Sequence, residues 1–140
     1  MLVITSIAAM PASEVDIFPN SVDWSPTPER LVYGAEDGTI RIWDRNELHA
    51  AEVAMEWGDE GVYGGHESPI FAVDWNPTQP LIASSSADHT VRIWDADTGE
   101  VIQIIQTSSD VGTVAWSPDG DTLVYGLEDG TLERLAFPRR

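Results

Sequence analysis

The chain has 140 residues, 42% hydrophobic and 22% charged, enough length and apolar content for a single domain with its own core. Seven Arg and no Lys face 24 acidic residues, giving a formal charge of −17 that would repel nucleic-acid phosphates and anionic lipid surfaces. The absence of Cys excludes disulfides and thiolate metal sites, and the six Trp argue for a packed interior over disorder.

The chain opens on an apolar run, Met1 to Ala9, without the basic start of a signal peptide and too short to span a membrane. A cytoplasmic location is therefore expected, and residues 1–20 are assigned to an N-terminal strand, Leu2 to Ile7, with a linker. Three segments then align without gaps: SVDWSPTPERLVYGAEDGTIRIWD from Ser21, AVDWNPTQPLIASSSADHTVRIWD from Ala72, and TVAWSPDGDTLVYGLEDGTLERLA from Thr113. Each has a Trp (Trp24, Trp75, Trp116), a Pro two residues on, an Asp thirteen on (Asp37, Asp88, Asp129) and a Thr fifteen on. Agreement at four offsets in three copies marks an internal repeat.

Within a copy, alternating residues around the Trp predict a strand, which Ser-Pro or Asn-Pro terminates. Leu31 to Tyr33, with its counterparts Leu81 to Ala83 and Leu123 to Tyr125, predicts a second strand. Asp37-Gly38 and Asp129-Gly130 are hairpin turns in which Gly supplies the positive φ, whereas copy two has the poorer turn former Asp88-His89. Thr39 to Trp43 predicts a third strand, rich in β-branched and aromatic residues. A fourth strand is expected at Val101 to Gln106 and at Ala50 to Met55, with a helix over Leu48 to Trp57 as the competitor there. Glu56 to Gly64 is an insertion. The repeats are thus 21–64, 65–110 and an incomplete 111–137.

The segments resemble WD repeats, the four-stranded blades of β-propellers. The family's marks are Gly-His near the start of a repeat and Trp-Asp at its end. Copy two carries Gly65-His66 and Trp94-Asp95. Copy one carries Trp43-Asp44 without the His, and copy three has Leu135-Ala136 in place of Trp-Asp. The resemblance covers Ser21 to Phe137 and implies an all-β fold, a partial WD-type β-propeller of about three four-stranded antiparallel blades. It also implies a buried hydrogen-bond network of His66, Ser86, Asp88 and Trp94, with Ala35 at the hydroxyl position of copy one. A charged Asp is tolerable inside a protein only with such partners. Asp37 and Asp129 are expected to cap their own turns. Glu36 and Glu128, each just before a turn Asp, resemble the family's partner-facing rim.

No catalytic constellation stands out. A Ser-His-Asp triad in copy two is disfavoured because the resemblance places those groups inside a blade. His49, His66 and His89 lack metal-ligand spacing, so no metal or cofactor is expected. Asp23 and Asp74, beside the innermost Trp, are expected to bond loop N–H groups, with a bound cation as the alternative.

Propellers close with about four to eight blades. Three leave end faces, expected to be lined by Val22, Ile40 and Ile42. Two chains could pair into a six-bladed ring, each lending its N-terminal strand to the other's last blade; otherwise another chain supplies the remaining blades. The function expected is a non-catalytic protein-interaction scaffold for a protein or basic peptide. The alternatives are a regulatory or sensing piece of a larger protein or complex, and a propeller-scaffold enzyme.

Overall fold

The computed structural model describes residues 19–27, 30–44, 53–55 and 65–138. These form eleven strands in three antiparallel sheets, with no helix among the described residues. Blade one comprises β1 (Pro19–Trp24), β2 (Arg30–Ala35), β3 (Ile40–Asp44) and β4 (Val53–Met55). Blade two comprises β5 (Ile70–Trp75), β6 (Leu81–Ser86), β7 (Thr90–Asp95) and β8 (Val101–Gln106). Blade three comprises β9 (Val111–Trp116), β10 (Thr122–Leu127) and β11 (Leu132–Ala136). Sheet neighbours follow chain order, and each repeat is a meander. At Val53–Met55 the chain is a strand paired to β3, which excludes helix at those positions. The expected N-terminal strand, His49 and the Glu56 to Gly64 insertion lie outside the described residues.

The sheets stack face to face, with one apolar layer per seam. Val32, Ile40 and Ile42 of blade one pack on Ile70, Val73, Trp75, Ile82 and Trp94 of blade two. Ala83, Val91 and Ile93 of blade two pack on Val111, Val114, Trp116, Leu123 and Tyr125 of blade three. Blade two is covered on both sides, so all six residues of β6 are buried. In blade three burial alternates along β10, as expected for a sheet with one covered face. The expected end-face lining needs correction: Ile40 and Ile42 are buried in the first seam, and only Val22 of the three is exposed.

Close approach between blades explains two glycines. Gly38 (φ 84°) sits against the His66 carbonyl of the following blade and Gly120 (φ 78°) against the side chains of Asn76 and Thr78 of the preceding one, so a Cβ at either would collide with the neighbouring blade. Blade two has His89 at the turn position of Gly38 and Gly130, and its φ is 66°, a region that a non-Gly residue adopts at a cost. Its ring Nε2 lies 3.0 Å from Asp110 Oδ1, a contact that ties the turn to the approach of β9.

Candidate functional site

Blade two holds a connected polar cluster. The turn between β6 and β7 lifts Asp88 so that Oδ1 accepts the Thr90 hydroxyl at 2.6 Å and the Thr90 N–H at 2.9 Å. Oδ2 accepts the Glu67 N–H at 3.1 Å and lies 2.9 Å from His66 Nδ1. On the far side of the ring, His66 Nε2 lies 2.6 Å from Ser84 Oγ, which accepts the Trp94 indole N–H at 2.8 Å. One proton arrangement satisfies every group: Nδ1–H donates to Asp88, the Ser84 hydroxyl donates to Nε2, and the imidazole is neutral. Burial lowers the His66 pKa and outweighs the attraction of Asp88. Burial alone would raise Asp88, but the bonds from His66, Thr90 and the Glu67 N–H prevail and hold its carboxyl well below the usual carboxylate range.

The network's hydroxyl is Ser84, not the Ser86 inferred from sequence. The two serines share a strand face, so side-chain alternation does not separate them. Depth does. His66 spends Nδ1 on the turn, which aims Nε2 down the strand toward Ser84. Ser86 belongs to the turn itself, where its Oγ donates to the Ser68 carbonyl and accepts the Asp88 N–H. The matching position in copy one is therefore Tyr33, not Ala35, and in copy three it is Tyr125.

Asp88, His66 and Ser84 stand in the order of a hydrolytic triad. Ser84 is fully buried, however, and its oxygen is engaged by the Trp94 indole, so no substrate carbonyl reaches it. In blade three, Leu135 replaces Trp94, and Tyr125 bonds Glu133, which occupies the position of Arg92. Burial and then the Glu133 carboxylate raise the Tyr125 phenol above its ordinary value. The turn motif persists in the other blades: Asp37 accepts the Thr39 N–H at 3.0 Å, and Asp129 accepts the Thr131 N–H at 2.9 Å. Trp43 and Asp44 end β3. Asp95 ends β7, and its Oδ1 accepts the N–H groups of Asp97 at 2.8 Å and Thr98 at 2.9 Å.

Glu36 and Glu128 are both exposed, on blades one and three. Glu36 Oε1 accepts the Asn20 amide at 2.7 Å. The Glu128 N–H donates to the Asp110 carbonyl at 2.9 Å. Among the described residues, no three His, Asp or Glu side chains are grouped to hold a metal ion.

The innermost strands carry a feature that sequence reasoning missed. Asp23 Oδ2 accepts the backbone N–H of Trp75 at 2.7 Å, and Asp74 Oδ2 accepts that of Trp116 at 2.5 Å. Ser21 Oγ accepts the Val73 N–H at 3.1 Å. The partners are strand N–H groups of the following blade, not the loop groups expected. Burial lifts the Asp74 pKa, the Trp116 N–H opposes this, and the neighbouring Asp23 carboxyl adds to it, leaving Asp74 at about 6. The carboxylate one residue before each inner Trp was the available signal.

The faces at the two ends differ. Val22 and Trp24 on β1 are 66% and 54% exposed, whereas their counterparts Val73 and Trp75 are buried at 6% and 4%. At the other end, Leu132 and Arg134 of β11 are exposed, in the positions where blade two buries Val91 and Ile93.

Comparison with known proteins agrees with this architecture. The family described as "WD domain, G-beta repeat" matches residues 5–44, 58–95 and 99–133. Coronin-7 of Bos taurus is 34% identical over 134 residues, covering 94% of this chain and 14% of that protein. Protein transport protein SEC13 of Pyricularia oryzae is 33% identical over 138 residues, covering 81% of this chain and 46% of that protein. Eukaryotic translation initiation factor 3 subunit I of Aspergillus fumigatus is 42% identical over 77 residues, 55% of this chain and 22% of that protein. The crystal structure of the computationally designed Ika8 protein superposes with a TM-score of 0.67 at 25% identity, covering 85% of this chain and 33% of that one. The chain thus spans less than half the length of each of these relatives. Three family matches in register with three stacked meanders establish that this chain belongs to the WD-repeat family.

Proposed function

We propose that this chain is a non-catalytic protein-interaction scaffold, a three-blade portion of a β-propeller that works within a larger protein or complex. The observation that carries the reading is the contrast between what is hidden and what is open. The one Ser-His-Asp arrangement in blade two is consumed inside the blade, while a Trp face and the rim glutamates meet solvent. Covering the exposed part of Trp24 alone is worth about 3 kcal/mol, which favours a protein neighbour there. The short span relative to its relatives, one of them named as a subunit, supports the larger-assembly reading.

The rim partner proposed is basic. Glu36 and Glu128 sit on a chain of formal charge −17, and such a field favours an Arg-rich segment. The test is fluorescence anisotropy of a labelled Arg-rich peptide at low and high salt. Binding that weakens about ten-fold with added salt, and several-fold in a Glu36→Gln/Glu128→Gln variant, supports the reading. Absence of binding, or binding indifferent to both changes, removes the acidic-rim proposal.

A further inference from the structure

The outer strand of a blade has an edge with no neighbour in its own sheet, so the N–H and C=O groups along it are open to another chain. Proteins commonly blunt such edges with charge, Pro or very short strands. The three outer strands here differ in that respect. β11 carries Glu133 and Arg134. β4 is three residues long, and Glu52 and Glu56 flank it in the sequence. β8 is six residues long, VIQIIQ, and no charged residue or Pro stands between Glu100 and Asp110. The longest of the three is the one left unguarded.

The ladder fixes which β8 groups point outward. The Asp95 N–H bonds the Glu100 carbonyl, and the Thr107 N–H bonds the His89 carbonyl. Between them Ile93 lies opposite Gln103, and Val91 opposite Ile105. Antiparallel alternation therefore turns the backbone groups of Gln103 and Ile105 toward β7, and those of Ile104 and Gln106 away from it. β8 ends the order of its sheet, and among the described residues no strand pairs with that edge. A register shift leaves Ile102 as a bulge, so the flat part of the edge runs from Gln103 to Gln106. The side chains divide in the same way. Val101 packs into the first seam, and Ile102 and Ile105 into the second. Ile104 belongs to neither apolar layer and is 43% exposed.

From this geometry we propose that β8 pairs edge to edge with β8 of a second copy of this chain, antiparallel about a two-fold axis at Ile105, so that two blades become one continuous sheet. In this register Ile104 meets the partner's Gln106 and Gln106 meets the partner's Ile104. Each pair exchanges both of its outward N–H···O bonds. Ile104 then lies diagonal to the partner's Ile104 on one sheet face, within reach of apolar contact. The absence of charge selects the occupant. An uncharged strip offers an acidic or basic segment no ion pair, whereas an identical strip matches its hydrogen bonds and its apolar reach. The contact is isologous and stops at the dimer. This edge is separate from the Trp24 face and the rim glutamates, and the inference does not depend on the scaffold reading.

Sedimentation equilibrium of the full chain, over a range of protein and salt concentrations, measures the association, with circular dichroism confirming the fold. The expected result is a weak dimer, because a strand edge buries less than the about 1,200 Å² at which standard interfaces begin. The dimer should tighten with added salt, which screens the repulsion between two chains of formal charge −17. Ile104→Pro removes an outward N–H and leaves the bonds of Gln103 and Ile105 to β7 in place, and it should weaken the dimer at least about ten-fold. Ile104→Lys serves the same purpose if the Pro variant folds poorly. It lowers the net negative charge, so weaker association would not stem from added repulsion. Leu132→Lys makes the same change on β11 and should leave the dimer unaltered. Amide hydrogen exchange should show Ile104 and Gln106 gaining protection with protein concentration, and Ile105 protected throughout. A chain that stays monomeric up to roughly 1 mM, the weak end of specific association, overturns the proposal. Growth beyond the dimer overturns it as well, as does association that Trp24→Ala or Leu132→Lys abolishes and Ile104→Lys spares. Peptide binding at the acidic rim has the opposite salt dependence, so that reading and this one fail separately.

Discussion

Blades two and three share a backbone plan and differ in what fills it. In blade two a turn carboxylate, an imidazole, a hydroxyl and an indole form a continuous buried chain of donors and acceptors. In blade three the same places hold Asp129, Thr107, Tyr125 and Leu135. Asp129 serves only its own turn and the nearby Ser108, and Tyr125 leans on Glu133. The polar network is therefore not what dictates the blade. The strand pattern, the Asp-x-Thr turn and the apolar seam suffice for that. The network instead binds the lead-in at His66 to two strands and the turn between them, in the blade that is covered on both faces.

The contrast is sharpest for the residue that closes the network. Trp94→Ala is expected to cost about 3–5 kcal/mol by leaving a cavity and an unsatisfied Ser84, against roughly 1–2 kcal/mol for the half-buried Leu135→Ala. Urea unfolding followed by circular dichroism measures both, and equal losses would erase the distinction between the blades. The hydroxyls come next. Ser84→Ala orphans the Trp94 N–H and the acceptor on His66 and should cost about 1–3 kcal/mol, whereas Tyr125→Phe removes one bond and should cost about 1 kcal/mol. Ser86→Ala should fall nearer the Tyr125 value, since it disturbs only the turn.

The smallest effect has the opposite sign. Asp74, whose place in blade three is taken by Ala115, has a folded pKa of about 6, above its unfolded value near 3.8. The folded state therefore holds the extra proton between those values. Stability from this group is complete below pH 3.8 and is lost as pH rises through 6. Asp74→Asn keeps an acceptor for the Trp116 N–H and removes the charge facing Asp23. It should stabilise the protein at pH 7 by about 1 kcal/mol after allowance for solvent screening, with no gain at pH 4. Thermal melts at the two pH values measure this, and stabilisation at pH 4 would remove the explanation.

The strand plan was legible because the repeat compares the sequence with itself. Three copies fixed the inner Trp, the turn Asp and the paired strands without any reference to contacts. The polar network was legible only to the resolution of a strand face. Ser84 and Ser86 are equivalent by alternation, and which one His66 reaches depends on how far the ring descends from the turn. The seam carboxylates were visible as residues but not as links, because their partners are backbone groups that leave no mark in the sequence. The end faces were misread for a similar reason. Ile40 and Ile42 look like the oily edge of an open blade until the direction of stacking is known.

That direction has a consequence for how such arrays change over evolutionary time. Each seam bond joins a side chain of the earlier blade to the main chain of the later one, so the later blade need contribute no matching residue. A duplicated unit spliced between two others would find a receptor on one side and supply a donor of contacts on the other, with no coordinated second mutation.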